Sequence, residues 1–353
     1  MNKFYMSSLL AVFVLALIAW VGAPALPWLF GIVLPYVAVI VFVVGVIRRV
    51  MGWARSAVPF AIPTTGGQQR SMPWIQQNKI DNPSTQMGVF IRMALEILTF
   101  RSLFRNTRMK LTHEGRFSYN LEIFLWAGAL AFHYAFLVTL VRHMRFFLEP
   151  VPWFIQAIEA VDSFFRFEIS YDPIQFGLPG VYISGFLLLA AVLYLFARRL
   201  FIPKVRYISL AADYFPLFLI MGIAFTGILM RYFTKVDIAA IKELTMSLVT
   251  FKALSFKIPE GIGPLFYMHL FFVSTLLVYF PFSKLMHMGG VFLSPTRNLT
   301  ANTREVRHVN PWNYPVKVHT YEAYENEFRD KMIEAGLPVD KMPDESTAAE
   351  EKE

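Results

Sequence analysis

Cysteine is absent from all 353 residues. Disulfides, thiolate zinc sites, cysteine-held iron–sulfur clusters and thioether-attached haem are therefore excluded from this chain. Any metal it holds must rest on His, Met or oxygen ligands. Charge is scarce as well. Only 16% of residues are charged and 56% are hydrophobic, whereas soluble domains carry roughly 25% charged residues. The deficit is concentrated in apolar runs of about the length that crosses a bilayer, which excludes a soluble domain with a large core. The net charge of +8 and the pI near 9.5 do not point to nucleic acid. The basic residues flank apolar runs, so they read as membrane topology and affinity for anionic lipid.

Six runs are present: about Met6 to Val21, Trp28 to Ile47, Leu121 to Val141, Val181 to Ala197, Leu210 to Met230, and Leu265 to Met286. Backbone groups in lipid must be satisfied internally, so each is expected to be a helix. The first run competes with a signal-peptide reading, because Ala23, Pro24 and Ala25 resemble a cleavage site. A single Lys3 and an immediate second run favour an uncleaved hairpin. The expected fold class is an all-α membrane protein of about six transmembrane helices with soluble cytoplasmic segments. Four regions follow: a transmembrane hairpin over 1–50, a basic cytoplasmic segment with an amphipathic helix over 51–118, a four-helix core over 119–290, and a cytoplasmic tail over 291–353.

Orientation follows from Lys and Arg in the connections. The stretch from Arg48 to Arg116 is strongly basic, and Arg198, Arg199, Lys204 and Arg206 fall on the same side. That side is assigned to the cytoplasm, which places both termini there and the chain in the cytoplasmic membrane. Lys242, Lys252 and Lys257 on the opposite side weaken the bias without reversing it. Gln86 to Arg108, Pro152 to Phe167 and Val236 to Phe256 have helical apolar periods and read as helices on the membrane surface or packed over the bundle. The acidic end from Asp344 to Glu353 has the composition of a disordered tail.

Of seven histidines, His113, His308 and His319 lie in polar segments and read as solvent-exposed. The other four belong to apolar runs, where an ionisable residue is costly and marks function. His133 and His143 are ten residues apart on the third run, or roughly 15 Å in a helix. His269 and His287 are eighteen apart on the sixth, about five turns and roughly 27 Å, so both would leave one face of one helix. The two runs are antiparallel, which pairs His143 with His269 at the outer level and His133 with His287 at the inner. The unequal separations leave an offset of roughly 6 Å at each pair.

Four imidazoles paired by level between two helices suit two bis-histidine haems b, with both axial positions filled and no site open for oxygen. Core histidines, a proton relay and a transporter pathway are the competing readings. Arg142, Arg145 and Arg231 at the outer ends, and Lys284, Arg198 and Arg199 at the inner, are candidate propionate partners or interfacial anchors. A quinol site near the outer haem would draw on Asp172, Glu168, Arg231 and Tyr232. Gly289 and Gly290 read as a helix stop.

The two histidine spacings resemble the gamma subunit family of respiratory nitrate reductases, over roughly residues 115–290. The added hairpin, the basic segment and the tail motif from Asn310 to Tyr321 are most similar to a branch of that family, the cytochrome b subunits of sulfite-reduction-associated membrane complexes. The resemblance implies haem at the four histidines and menaquinol as electron donor. It also implies a cytoplasmic iron–sulfur partner resembling heterodisulfide reductase, further subunits of the same membrane complex, and a role in dissimilatory sulfur metabolism.

Overall fold

The computed structural model describes residues 3–56, 74, 76–111, 115–164, 167–171, 174–178, 180–253, 257–302, 306 and 318–341; the side chains of 110–111, 164, 167–171 and 174–178 are excepted. Contacts divide the chain into two units, Met1–His308 and Val309–Glu353.

The first unit is a helical bundle. The hairpin is α1 (Lys3–Ala25), a π turn over Leu29–Val33, and α2 (Leu34–Ala54). Then come α3 (Gln86–Thr99) and α4 (Arg101–Phe104), followed by an antiparallel pair, β1 (Thr107–Leu111) with β2 (Phe117–Leu121). The core begins with α5 (Ile123–His143), then α6 (Trp153–Asp162). Two small pairs follow, β3 (Ser163–Phe164) with β6 (Val181–Tyr182), and β4 (Phe167–Tyr171) with β5 (Ile174–Leu178). The chain continues through α7 (Ile183–Phe201), α8 (Pro203–Ile208), α9 (Ala211–Ile228), α10 (Ile238–Val249) and α11 (Pro264–Tyr279). Short helices α12 (His287–Leu293) and α13 (Pro295–Asn298) close the unit.

Six helical segments among the described residues are long and apolar enough to cross a membrane: Lys3–Ala25, Leu29–Ala54, Ile123–Phe146, Ile183–Phe201, Ala211–Thr234 and Pro264–Phe282. On the hairpin, Leu10, Phe13, Val21, Ile40 and Val44 are exposed, a surface suited to lipid and not to water. This is a multi-pass, all-α membrane protein.

The core helices form a row in which α5 packs on α7, α7 on α9, and α9 on α11; α1 packs on α9 and α11, and α2 on α11. Ala135, Leu188, Val192, Ile220 and Ala224 fill the seam between α5, α7 and α9. Val12, Tyr214, Phe218, Leu219 and Phe272 join α1, α9 and α11. The histidine-bearing helices are α5, α11 and α12, and close packings of α5 on α11 or α12 are not among those of the described residues.

Several boundaries differ from the sequence expectation. The helix expected over Gln86 to Arg108 stops at Thr99, where Phe100 turns left-handed at φ 50° and ends the ladder. The third run becomes helical only at Ile123, because Leu121 closes a strand. The helix expected from Pro152 ends at Asp162, after which Ser163 is extended, and the one expected from Val236 spans Ile238–Val249 behind an Asp237 cap. The largest correction concerns the sixth run. It is not one helix to Met286. Regular helix ends at Tyr279, Phe280–Phe282 is a 3-10 turn carrying Pro281, and Ser283 is fully extended at ψ 178°. A second 3-10 turn, Lys284–Met286, leads into α12. Proline removes a backbone donor and clashes with the preceding turn, so the axis breaks there.

The second unit is built on α14 (Tyr321–Glu334), capped by the Thr320 hydroxyl. Its buried Glu325 accepts hydrogen bonds from the amides of Asp340 and Lys341 and from Arg329. These donors hold its carboxyl below the usual glutamate range, the Asp340 amide foremost, against the opposing effect of burial.

Candidate haem-binding site

Each of the four candidate histidines hydrogen-bonds through Nδ1. In α5, His133 and His143 lie in regular helix, and each Nδ1–H donates to the carbonyl four residues back, Ala129 and Thr139, both at 2.7 Å. His287 donates to the Lys284 carbonyl, 2.8 Å away in the preceding turn. His269 bonds to a side chain of another helix, the Thr226 hydroxyl on α9, at 2.8 Å. A carbonyl only accepts, so the first three imidazoles carry hydrogen on Nδ1 and keep the Nε2 lone pair. Thr226 has a carbonyl for its own hydrogen, Gly222 O at 2.8 Å, and so can accept from His269. The same tautomer then holds at all four, the one a metal-ligating imidazole needs.

The rings come together in two pairs. Those of His143 and His269 have centroids 6.3 Å apart and planes inclined at 16°. Those of His133 and His287 are 5.9 Å apart at 85°. A metal–imidazole bond is about 2 Å, so two imidazoles sharing one metal hold their centres roughly 6 Å apart. The break at Ser283 explains how unequal spacings produce matched pairs. A straight helix would carry His287 well beyond His133; the broken one re-aims it.

These residues fit haem. Among the described residues no three His, Cys, Asp or Glu side chains gather around a common point. A bare ion would want such a cluster, whereas a porphyrin supplies four nitrogens and asks the protein for two axial ligands. The imidazoles of one pair meet between α5 and α11 and those of the other between α5 and α12, helices that do not pack closely on α5; none is fully buried, and His287 is exposed. Phe100 and Phe132 present their edges to His133 at 4.9 and 5.0 Å, so the left-handed turn after α3 brings an aromatic wall to that pair.

The arginines beside the His143–His269 pair are largely committed to the protein. Arg142 is paired with buried Asp162 and donates to Ser184 at 3.1 Å; Asp162 also accepts from the amide and hydroxyl of Ser184. Arg145 pairs with Glu159 at 2.8 Å. Arg142 and Arg231 stack on the same Tyr182 ring, their guanidinium carbons 3.5 and 4.6 Å from its centre. The Nε of each is buried without a hydrogen-bond partner. Tyr232 accepts from the Tyr182 amide at 2.8 Å, leaving its own hydrogen available. Glu168 lies in β4 opposite Gly177, with its side chain outside the described residues, and Asp172 lies outside them altogether.

Near the other pair, Arg198 is bound to Glu122 at 2.7 Å, Arg199 to Ser209 at 3.0 Å, and Lys284 to Asp213 at 2.8 Å. Gly289 and Gly290 do not end a helix; they lie inside α12, beside Trp53 of α2. His319 is exposed, while His113 and His308 lie outside the described residues.

Sequence reading missed Thr226, Asp162, Ser184, Tyr182, Asp213 and Phe100. For Thr226 one signal existed: Gly222, Thr226 and Gly227 form a run of small residues on an apolar helix, the pattern that lets membrane helices approach closely.

The profile of the nitrate reductase gamma subunit family matches residues 87–308. The Hdr-like menaquinol oxidoreductase cytochrome b-like subunit of Archaeoglobus fulgidus is 46% identical over 289 residues, which is 81% of this chain and 83% of that one. Its counterpart in Archaeoglobus profundus is 40% identical over 284 residues, 79% of this chain and 81% of that one. The respiratory nitrate reductase 1 gamma chain of Escherichia coli is 33% identical over 129 residues, 35% of this chain and 56% of that one.

Proposed function

The chain belongs to the nitrate reductase gamma subunit family, and from that premise we propose that it is the cytochrome b subunit of a menaquinol-oxidising membrane complex, holding two haems b. The single observation carrying this reading is the two facing imidazole pairs, with the Nδ1 of every ring hydrogen-bonded. When bound, each haem supplies a one-electron carrier. The chain's own residues do the rest: His143 with His269 and His133 with His287 would hold the two haems through their imidazole nitrogens, and α5 sets the two levels roughly 15 Å apart.

Menaquinol gives up its electrons at the outer level, that of His143 and His269. Arg231 and Tyr232 offer hydrogen-bond donors to its oxygens, and Glu168 and Asp172 take the released protons. Arg142 and Arg145 stand at the same level as propionate partners, Arg142 with an Nε free for that purpose. Electrons leave at the inner level, that of His133 and His287, to a cytoplasmic iron–sulfur subunit resembling heterodisulfide reductase, within a complex of dissimilatory sulfur metabolism. The basic connections support a cytoplasmic position for that level and for both termini. The relatives' description as Hdr-like menaquinol oxidoreductase subunits supports the donor and the kind of partner.

Protons released outside while electrons move inward make turnover electrogenic. Each charge crossing works against about 2.3 kcal/mol per 100 mV. In proteoliposomes holding the whole complex, an uncoupler should accelerate quinol-driven reduction of the partner, with external acidification. A rate indifferent to the uncoupler, without acidification, would put quinol oxidation on the cytoplasmic side. A purified chain with no b-type absorption bands would return the histidines to a proton or transport pathway.

A further inference from the structure

Three of the four imidazoles donate Nδ1–H to carbonyls of their own local backbone, which no side-chain substitution removes. His269 is different, since its Nδ1 meets a side chain, the hydroxyl of Thr226 on a neighbouring helix, with the Ile223 carbonyl of that helix as a second acceptor beside it. We infer that Thr226 is a positioning residue that sets the orientation and ligand strength of His269, and through it the potential of the haem between His143 and His269. The inference rests on the dihaem reading and deepens it.

The contact is built into the seam between α9 and α11. A Cβ on Gly222 would stand 3.0 Å from the Phe272 ring, tighter than ordinary packing, so a glycine there lets the helices come close. Gly227 passes the His269 ring, with Cε1 3.5 Å from where its Cβ would be. Between them Thr226, 2% exposed, reaches across to Nδ1. Its own hydrogen goes to the carbonyl of Gly222 at 2.8 Å, with Ile223 O also near at 3.0 Å. The hydroxyl oxygen is thereby turned toward His269 as acceptor. An acceptor on Nδ1–H makes Nε2 a stronger donor to metal. Stronger donation favours the oxidised iron, so losing the acceptor raises the potential.

The test is a redox titration followed by visible and low-temperature EPR spectra on the purified chain, in the native protein and three variants. Thr226→Val keeps the shape and removes the acceptor. Thr226→Ala and Thr226→Ser both lose the methyl group, but only the serine keeps the hydroxyl. The Val and Ala variants should move the midpoint potential of the His143–His269 haem upward and shift its EPR signal, leaving the other haem unchanged. The Ser variant should restore both toward native values. If Val and Ala fail to retain that haem, Ser retaining it carries the same conclusion. Two native haems with unchanged potentials in the Val and Ala variants, or equal shifts in Ala and Ser, overturn the inference alone. A native chain without two haems overturns the dihaem reading with it.

Discussion

Each histidine tests a different piece of the geometry. Replacing His143 or His269 with alanine should abolish the same haem and spare the other, and His133→Ala and His287→Ala should do the converse. Spectra in which His143→Ala and His269→Ala remove different haems would break the pairing. Beside them, the Arg142–Asp162 pair is buried, its side chains 11% and 7% exposed. Losing one member of such a pair leaves an uncompensated charge and costs about 3–5 kcal/mol. Asp162→Ala should therefore lower the thermal transition in detergent. Combining it with Arg142→Met should recover much of the loss, because the stranded charge is gone. A double variant no more stable than Asp162→Ala would mean that the pair is not the cause. Arg142 was visible in the sequence as a charge at the end of an apolar run. Asp162 was not, because only α6 brings it back across the intervening chain.

Among the helices, α5 was readable and α11 was not. The ten-residue spacing of His133 and His143 sits on uninterrupted helix, so periodicity alone gives their levels. The eighteen-residue spacing predicts continuous helix through Pro281, and the extended Ser283 defeats that expectation. The break packs closely against α2, where a Cβ on Gly45 would lie 2.7 Å from the Pro281 ring. Gly45→Val overpacks that contact, at a cost of about 1–3 kcal/mol. It should disturb the His133–His287 haem first, seen as loss or broadening of its spectrum with the other intact. Equal damage to both haems would show that Gly45 only supports the bundle. In the second unit, α14 depends on the Glu325 carboxylate. Its depressed pKa means the stabilisation is complete above the ordinary glutamate value and is lost as pH falls through the lowered native one. Hydrogen-exchange protection of α14 should decline over that acidic window. In Glu325→Gln it should be weak already at neutral pH and nearly independent of acidity. Protection equal to the native chain's at neutral pH would contradict this.

For the molecule as a whole, the long apolar runs announced a membrane bundle, since each need only match the thickness of a bilayer. How the hairpin lies was not readable: the spans of α1 and α2 are strongly hydrophobic, and only packing shows α1 against α9 and α11. The placement of α3 was equally hidden. It reads as a surface helix, yet Trp126 and Tyr134 of α5 donate to the carbonyls of Thr99 and Leu98, bringing its end alongside His133. Such contacts join segments far apart in sequence, and no local pattern encodes them. On the proposed reading this bundle holds two haems b, one between each imidazole pair. A pyridine-haemochrome assay on the purified chain, with protein measured by amino-acid analysis, tests it most directly. Two haems b per chain are expected, falling to one in each of the four single histidine variants. No haem b, or one per native chain, would contradict it.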